Sequence, residues 1–332
     1  VNPSLFCPAC EGVLAREGAG FSCKACGKAF TSEAGIPLFF LPNDWDGRAD
    51  VTEAMKAFYE ETPFPNYEDI DSVATLRDKA EKGVLARLLD EQLPNGARVI
   101  ECGCGTGQLS NFLGITGGRQ VIGADMCLNS LRLAQAFKTR NEIENVSFCQ
   151  MNLFRPVFAR ESFDLVISNG VLHHTADPYL AFRSILRLAK PGGHVLIGLY
   201  HAYSRIPTDV RRAIFNATGN RFQFLDPRIK REKLSETRKR TWFMDQYKNP
   251  HESKHTFGEV LRWFEESGVD FVSSIPKTRP FESVTDDERL FEPSVPGTGF
   301  ERLLVETGML LTADREGGFF VMIGRKRTGA GV

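Results

Sequence analysis

Apolar residues change their spacing several times along this chain. Between 75 and 93, Leu76, Ala80, Val84, Leu88 and Leu89 recur at helical intervals and predict one amphipathic helix. Short apolar runs at 97–102, 120–125, 146–151, 163–169 and 194–200 then read as strands. Helical stretches fall between them at 111–115, at 130–140 and along the stripe Phe182, Ile185, Leu186 and Ala189. Asp177-Pro178 opens this last helix with an N-cap acid and a proline at the first helical position, and Pro191-Gly192-Gly193 stops it. Such alternation implies βαβ units and a parallel sheet covered on both faces. Residues 201–255 show no strand pattern. Thr256 and Glu259 then form a capping box ahead of Leu261 and Phe264, and 270–275 and 319–324 supply two last strands. The expected architecture is α/β, a doubly wound, mostly parallel, seven-stranded sheet with a helical insertion after strand five.

The turn after the first of these strands carries the clearest chemistry. It reads Glu101-Cys102-Gly103-Cys104-Gly105-Thr106-Gly107. Glycines allow a sharp turn and a close approach of backbone to ligand. A dinucleotide fingerprint would need a third glycine where Gln108 stands, so that pattern fails. The GxGxG spacing, with an acid two residues ahead, resembles the class I methyltransferases that use S-adenosylmethionine (SAM) on a Rossmann-like domain. That resemblance covers about 75–200 and extends to 326. It implies that Glu101, Gly103, Gly105 and Gly107 cradle the methionine part of SAM. Asp125, ending the second strand, would accept from the ribose hydroxyls, with Met126 beside the adenine. Asn152, where the family usually has Asp, and Leu153 would lie on the adenine side. Asn169 closes the fourth strand, followed by Val171-Leu172-His173-His174, a run similar to the ubiquinone and menaquinone methyltransferase subgroup.

Composition adds a second feature. The chain has 332 residues, of which 42% are hydrophobic and 25% charged, with a formal net charge of −1. That balance gives no general pull toward nucleic acid or membrane, and no apolar run reaches the roughly 20 residues a span requires. The opening residues lack the basic-then-apolar layout of a signal peptide, so the chain is expected in the cytoplasm; a start at Val1 leaves room for an earlier targeting segment. Four of eight cysteines form two CxxC units, Cys7 with Cys10 and Cys23 with Cys26. This spacing offers four thiolates to one tetrahedral ion and predicts a structural zinc ribbon over 1–42. The ribbon resembles one that precedes the methyltransferase domain in certain large-subunit rRNA guanine methyltransferases, and ribbons of this type also serve as protein-contact modules. A linker and lid segment would follow over 43–74, then the methyltransferase domain over 75–326, with 201–255 inserted above the substrate. Deleting 1–42 is expected to leave SAM binding intact.

Two features compete with this reading. His251-Glu252-Ser253-Lys254-His255 matches HExxH, the zinc-peptidase helix motif. Pro250 before it and the cap at Thr256 after it point to a bend instead. Residues 204–240 hold eleven Lys or Arg and four Asp or Glu, a net of +7 that leaves about −8 for the remainder. A charge run of this kind is a solvated face, a site for an anionic substrate, or an RNA surface. Arg211, Arg212 and Arg221 are the candidates for directed bonds to acidic groups. Methyl transfer needs an aligned nucleophile and a place for its proton; His173, His174 and His201 are the candidate bases. The leading expectation is methylation of a small or medium-sized metabolite at oxygen. RNA methylation through ribbon and insertion, and a non-catalytic interaction protein, are the alternatives.

Overall fold

The computed structural model describes residues 4–45, 50–231, 235–316 and 318–329. At the N-terminus, β1 (Leu14–Glu17), β2 (Gly20–Cys23) and β3 (Ala29–Phe30) form a small antiparallel sheet, and β4 (Ser32–Glu33) pairs with β5 (Ile36–Pro37). These strands do not form a separate bead. Leu38 pairs with Gln150 and Leu5 with Phe158. Phe30 and Phe39 pack in one core with Met151, Val157 and Phe158.

Three helices follow: α1 (Thr52–Glu61), α2 (Val73–Glu81) and α3 (Val84–Gln92). The single helix expected over 75–93 is therefore two. Gly83 takes an extended conformation (φ −94°, ψ 115°) and becomes the N-cap of α3. Glycine loses the most freedom on entering a helix, so the break falls there at low cost.

The main sheet is built from β6 (Arg98–Cys102), β7 (Gln120–Asp125), β8 (Val146–Gln150), β9 (Phe163–Asn169), β10 (Ala189–Tyr200), β11 (Val269–Ile275) and β12 (Phe319–Lys326). Its order is β11-β12-β10-β9-β6-β7-β8, and β12 runs antiparallel to both neighbours. Helices α4 (Gln108–Ile115), α5 (Leu128–Arg140) and α6 (Pro178–Leu186) form the crossovers. Side chains alternate as a sheet covered on both faces requires: Val99 packs with Val121 and Leu165, while Ile100 and Cys102 join the opposite core. Asp177 caps α6 as expected, accepting from Leu180 N–H at 2.9 Å. The chain winds one way from β6 to β8 and the other way from β9, so the strand order reverses between β6 and β9, where such folds open a ligand crevice.

The insertion is helical: α7 (Ile206–Thr218), α8 (Pro227–Arg231), α9 (Glu236–Phe243) and a π-helical turn, Met244–Lys248. Phe215, Phe243 and Tyr247 give it a small core of its own. Then come α10 (Phe257–Glu266), capped by Thr256, and α11 (Gly299–Glu316). No helix of the described residues is long and apolar enough to cross a membrane.

Candidate active site

A cavity of about 1050 Å³ opens at the carboxyl ends of β6, β7 and β9. It is lined by Glu101, Gly103, Gly105, Asp125, Met126, Asn152, Leu153 and Asn169, eight of the nine residues assigned to the cofactor from sequence. Gly107 lies just behind, as the left-handed N-cap of α4 (φ 70°). A Cβ on Gly105, whose φ is +52°, would stand 2.5 Å from the Phe64 carbonyl oxygen. The segment Phe64 to Tyr67 is clamped over this turn: Thr106 Oγ1 donates to Pro65 O at 2.5 Å, Gln108 Nε2 to Asn66 O at 2.7 Å and Tyr67 Oη to Thr106 O at 2.9 Å.

Two carboxylates face this end. Glu101 accepts from Ser110 Oγ, and burial, with Asp125 nearby, pushes its carboxyl up to about 7. Asp125 accepts from the backbone N–H groups of Gly105 and Cys127, both at 2.8 Å, yet burial still raises it. Asn152 is engaged within the protein: its amide donates to Leu41 O and Asn43 Oδ1, and its carbonyl accepts from Phe154 N–H. It therefore ties the segment after the ribbon to the cavity wall. The buried Oδ1 of Asn169 has no hydrogen-bond partner.

The three histidines separate. His174 lines the cavity, and its Nδ1 lies 2.8 Å from the His251 carbonyl oxygen. A carbonyl can only accept, so Nδ1 carries the proton and Nε2 keeps its lone pair. Burial lowers the His174 pKa, with Asp245 pulling the other way. His173 does not line the cavity; it is buried against Tyr200, ring centroids 4.2 Å apart, and neither ring nitrogen is bonded. His201 also lies off the cavity, bonded through Nδ1 to Ser204 Oγ at 2.8 Å.

Residues 251–255 form no helix. Glu252 accepts from Arg205 Nη2 at 2.8 Å and from Arg212 Nη2 at 2.9 Å, and His255 Nε2 is 2.8 Å from Ser253 Oγ. This is incompatible with HExxH metal chemistry, in which both histidines share a helix face and the glutamate stays free as base. Among the described residues, the cluster placed to hold a metal is Cys7, Cys10, Cys23 and Cys26, with all four sulfurs within 4.8 Å of one another. Part of the basic stretch is absorbed by the fold. Arg212 serves Glu252, Arg238 pairs with Glu68 and Asp69, and Arg221 is exposed. Glu232 and Lys233 of that stretch, like Val1, lie outside the described residues. Arg211 alone of the three candidate arginines lines the cavity, where its Nε donates to Tyr247 Oη at 3.1 Å.

Residues 93–275, more than half of the chain, match the family described as Methyltransferase domain. The chain belongs to this family. Its relatives include a ubiquinone biosynthesis O-methyltransferase from Alkalilimnicola ehrlichii, 32% identical over 123 residues, which are 37% of this chain and 48% of that protein. Another is the probable tRNA methyltransferase 9B of Homo sapiens, 32% identical over 142 residues, 42% of this chain and 27% of that protein. The chain spans less than half of the length of the curated relatives it matches. A Rickettsia typhi protein, PKMT2, solved in complex with AdoHcy, superposes with a TM-score of 0.50 at 13% identity, covering 74% of this chain and 54% of that one, and shares the fold.

Sequence reasoning missed part of one wall of the cavity. Tyr200, Asp245 and Gln246 line the cavity beside Tyr59. Gln246 Nε2 bonds both Tyr200 Oη and Asp245 Oδ2 at 2.8 Å, and Tyr59 Oη donates to Asp245 Oδ1 at 3.0 Å. No motif marks Asp245; its one sequence signal is position, within the insertion expected above the substrate.

Proposed function

We propose that this methyltransferase transfers a methyl group from SAM to an oxygen of a small or medium-sized metabolite. The observation that carries the reading is one cavity lined both by the Glu101–Asp125 end and by His174, with a volume of about 1050 Å³, at the top of the range for small-molecule sites. The residues fit the cofactor: a glycine turn with no room for a Cβ, and two buried carboxylates facing the same end. Glu101 and the turn would hold the amino-acid part, Asp125 the ribose, and Met126 and Leu153 the adenine.

When bound, SAM supplies a methyl group already activated by its sulfonium sulfur. The chain orients the acceptor oxygen in line with that methyl and excludes water. An oxygen–carbon bond forms, the carbon–sulfur bond breaks, and its electron pair returns to sulfur. The acceptor proton passes to His174 Nε2, which burial keeps neutral and whose lone pair the Nδ1 bond to the His251 carbonyl leaves on that nitrogen.

The four cysteines suit a structural zinc ion. Tetrahedral zinc with sulfur at about 2.3 Å needs sulfurs about 3.8 Å apart, and the pairs Cys7–Cys26 and Cys10–Cys23 stand at 3.8 and 3.4 Å. These spacings are far too long for disulfides. The names of the relatives include both an O-methyltransferase and a tRNA methyltransferase. The ion pairs that absorb Arg205, Arg212 and Arg238 weigh against a broad RNA surface.

The test is transfer of labelled methyl from SAM into a metabolite extract and, separately, into total RNA. Label is expected in small molecules, and His174→Ala should lower its incorporation by about 10²- to 10⁴-fold. Label in RNA, or unchanged incorporation in the variant, would overturn the corresponding half of the proposal.

A further inference from the structure

Asp245 is the least expected group in the cavity. It sits in the π-helical turn Met244–Lys248, a geometry frequent at functional sites, in which Asp245, Gln246 and Tyr247 are all buried and all line the cavity. The Asp245 side chain belongs to a residue only 4% exposed. Its two bonded donors, Tyr59 and Gln246, are both neutral. Its carboxylate feels the nearby His174 and Arg205, but among the described residues neither makes a salt bridge with it, and Arg205 is paired with Glu252. Arg205, nearby, directs its guanidinium to Glu252 and Gln246. Three cations line the same cavity: Arg211 is turned to Tyr247, whose hydroxyl donates to Asp226 at 2.6 Å, Arg228 lies over the Trp242 ring, and Lys79 donates to Gln108 Oε1 at 3.0 Å.

A carboxylate buried without a counter-ion is costly unless something else supplies the charge. A carboxylate has about four lone-pair directions, and two neutral donors leave part of that capacity unused. The cavity wall also carries the rings of Tyr59 and Phe319, while Tyr200 and Trp242 already hold Arg205 and Arg228 over their faces at 3.8 and 4.2 Å. Aromatic faces attract cations and hold ammonium groups poorly served by water.

We infer that Asp245 binds a protonated amine on the methyl acceptor, so that the substrate class is a hydroxy compound bearing an ammonium group, cationic rather than anionic. The inference rests on the methyl-transfer reading above. The ammonium sits on Asp245, and the hydroxyl reaches His174, whose ring lies 6.1 Å from that of Tyr59. Asp245 thereby selects the acceptor and fixes which oxygen meets the methyl group.

Three phenols with the same hydroxyl end test this by calorimetry on protein saturated with S-adenosylhomocysteine: tyramine, 4-ethylphenol and 3-(4-hydroxyphenyl)propanoate. Tyramine should bind at least about tenfold more tightly than the neutral and acidic probes. Asp245→Asn should erase that preference and leave S-adenosylhomocysteine affinity unchanged. Tyr59→Phe, which keeps the carboxylate, should retain the preference. Equal or reversed ranking in the natural protein, no tyramine binding, or a preference that survives Asp245→Asn overturns the inference. The natural protein's ranking decides even where the variant does not fold. Failure to bind S-adenosylhomocysteine at all would instead strike the methyl-transfer reading.

Discussion

Replacing Glu252 by Gln should cost far more than a surface change, and the structure says why. The side chains of Arg205 and Glu252 are 0% and 2% exposed. Glu252 takes Arg205 Nε at 3.2 Å and Nη2 at 2.8 Å, and Arg212 Nη2 at 2.9 Å. In Glu252→Gln, an amide nitrogen would face guanidinium donors and Arg205 would remain buried without its counter-ion. Breaking a buried pair in this way costs about 3–5 kcal/mol, or a melting temperature lower by about 10 °C for a chain of this size. The same segment holds the site. His251 O fixes the His174 tautomer, and Ser253 binds the His173 carbonyl through both N–H and hydroxyl. Methyl transfer should therefore fall more than S-adenosylhomocysteine affinity does. Scanning calorimetry of the protein saturated with S-adenosylhomocysteine measures the first effect. The pair Arg205→Met with Glu252→Leu should regain much of the loss, because the fully buried charge leaves with its partner and the part-exposed Arg212 keeps Asp209 and the Gln246 carbonyl. Acid should act in the same direction. Burial opposes ionisation of Glu252, but Arg205 and Arg212 outweigh it and hold the carboxyl below the usual range. Its contribution is present above about pH 4.3 and is lost as pH falls through the lowered value. A loss under about 1 kcal/mol, or a double variant as unstable as the sum of the singles, would refute this account.

The sheet was legible because each strand is a short apolar run bounded by a turn, and period 2 against period 3.6 separates strand from helix without tertiary information. Strands at 120–125 and 163–169 have the expected ends. The glycine turn was legible for a related reason: Gly103, Gly105 and Gly107 all have positive φ, so backbone conformation itself is written in the residue type. The cavity wall around Asp245 was not, because its groups are brought together from positions far apart in sequence. Tyr59 and Asp245 are 186 residues apart, and nothing local to either signals the other. The HExxH match could be set aside from sequence, since a motif states spacing but not helix, and Pro250 and Thr256 deny it the helix. The basic run stayed ambiguous. Net charge counts side chains, whereas function depends on which of them lack protein partners, and Arg205, Arg212 and Arg238 have theirs. The ribbon's cysteines were legible, but its docking was not: Phe30 and Phe39 carry no mark that separates a ribbon's own core from one shared with β8.

Asp125→Ala should weaken S-adenosylhomocysteine binding by about 1.5–3 kcal/mol, since it removes the ribose acceptor and the group fastening Gly105 and Cys127 N–H; unchanged affinity in calorimetry would show that the ribose does not sit there. Elemental analysis should find close to one zinc per chain, lost in Cys10→Ser with Cys26→Ser, and zinc retained by that variant would refute the assignment to the four cysteines. Deleting 1–42 is the poorer test, because it also strips Phe30 and Phe39 from the shared core and should disturb the cofactor site through Asn152. The last prediction concerns Glu101, whose carboxyl burial pushes up to about 7. In the ligand-free protein this raised value favours the protonated form, so its contribution to stability is present at low pH and lost as pH rises through about 7. The ammonium of S-adenosylhomocysteine, placed against Glu101, favours the ionised form and should drive the proton off. Near pH 7, where Glu101 is about half protonated, binding should release about half a proton. Calorimetry in buffers of different ionisation enthalpy reads that number directly. Affinity should also fall as pH drops below 7, and Glu101→Gln should abolish both effects while Ser110 still has an acceptor in the amide carbonyl. Proton uptake on binding, or release that survives in Glu101→Gln, would place the ammonium elsewhere.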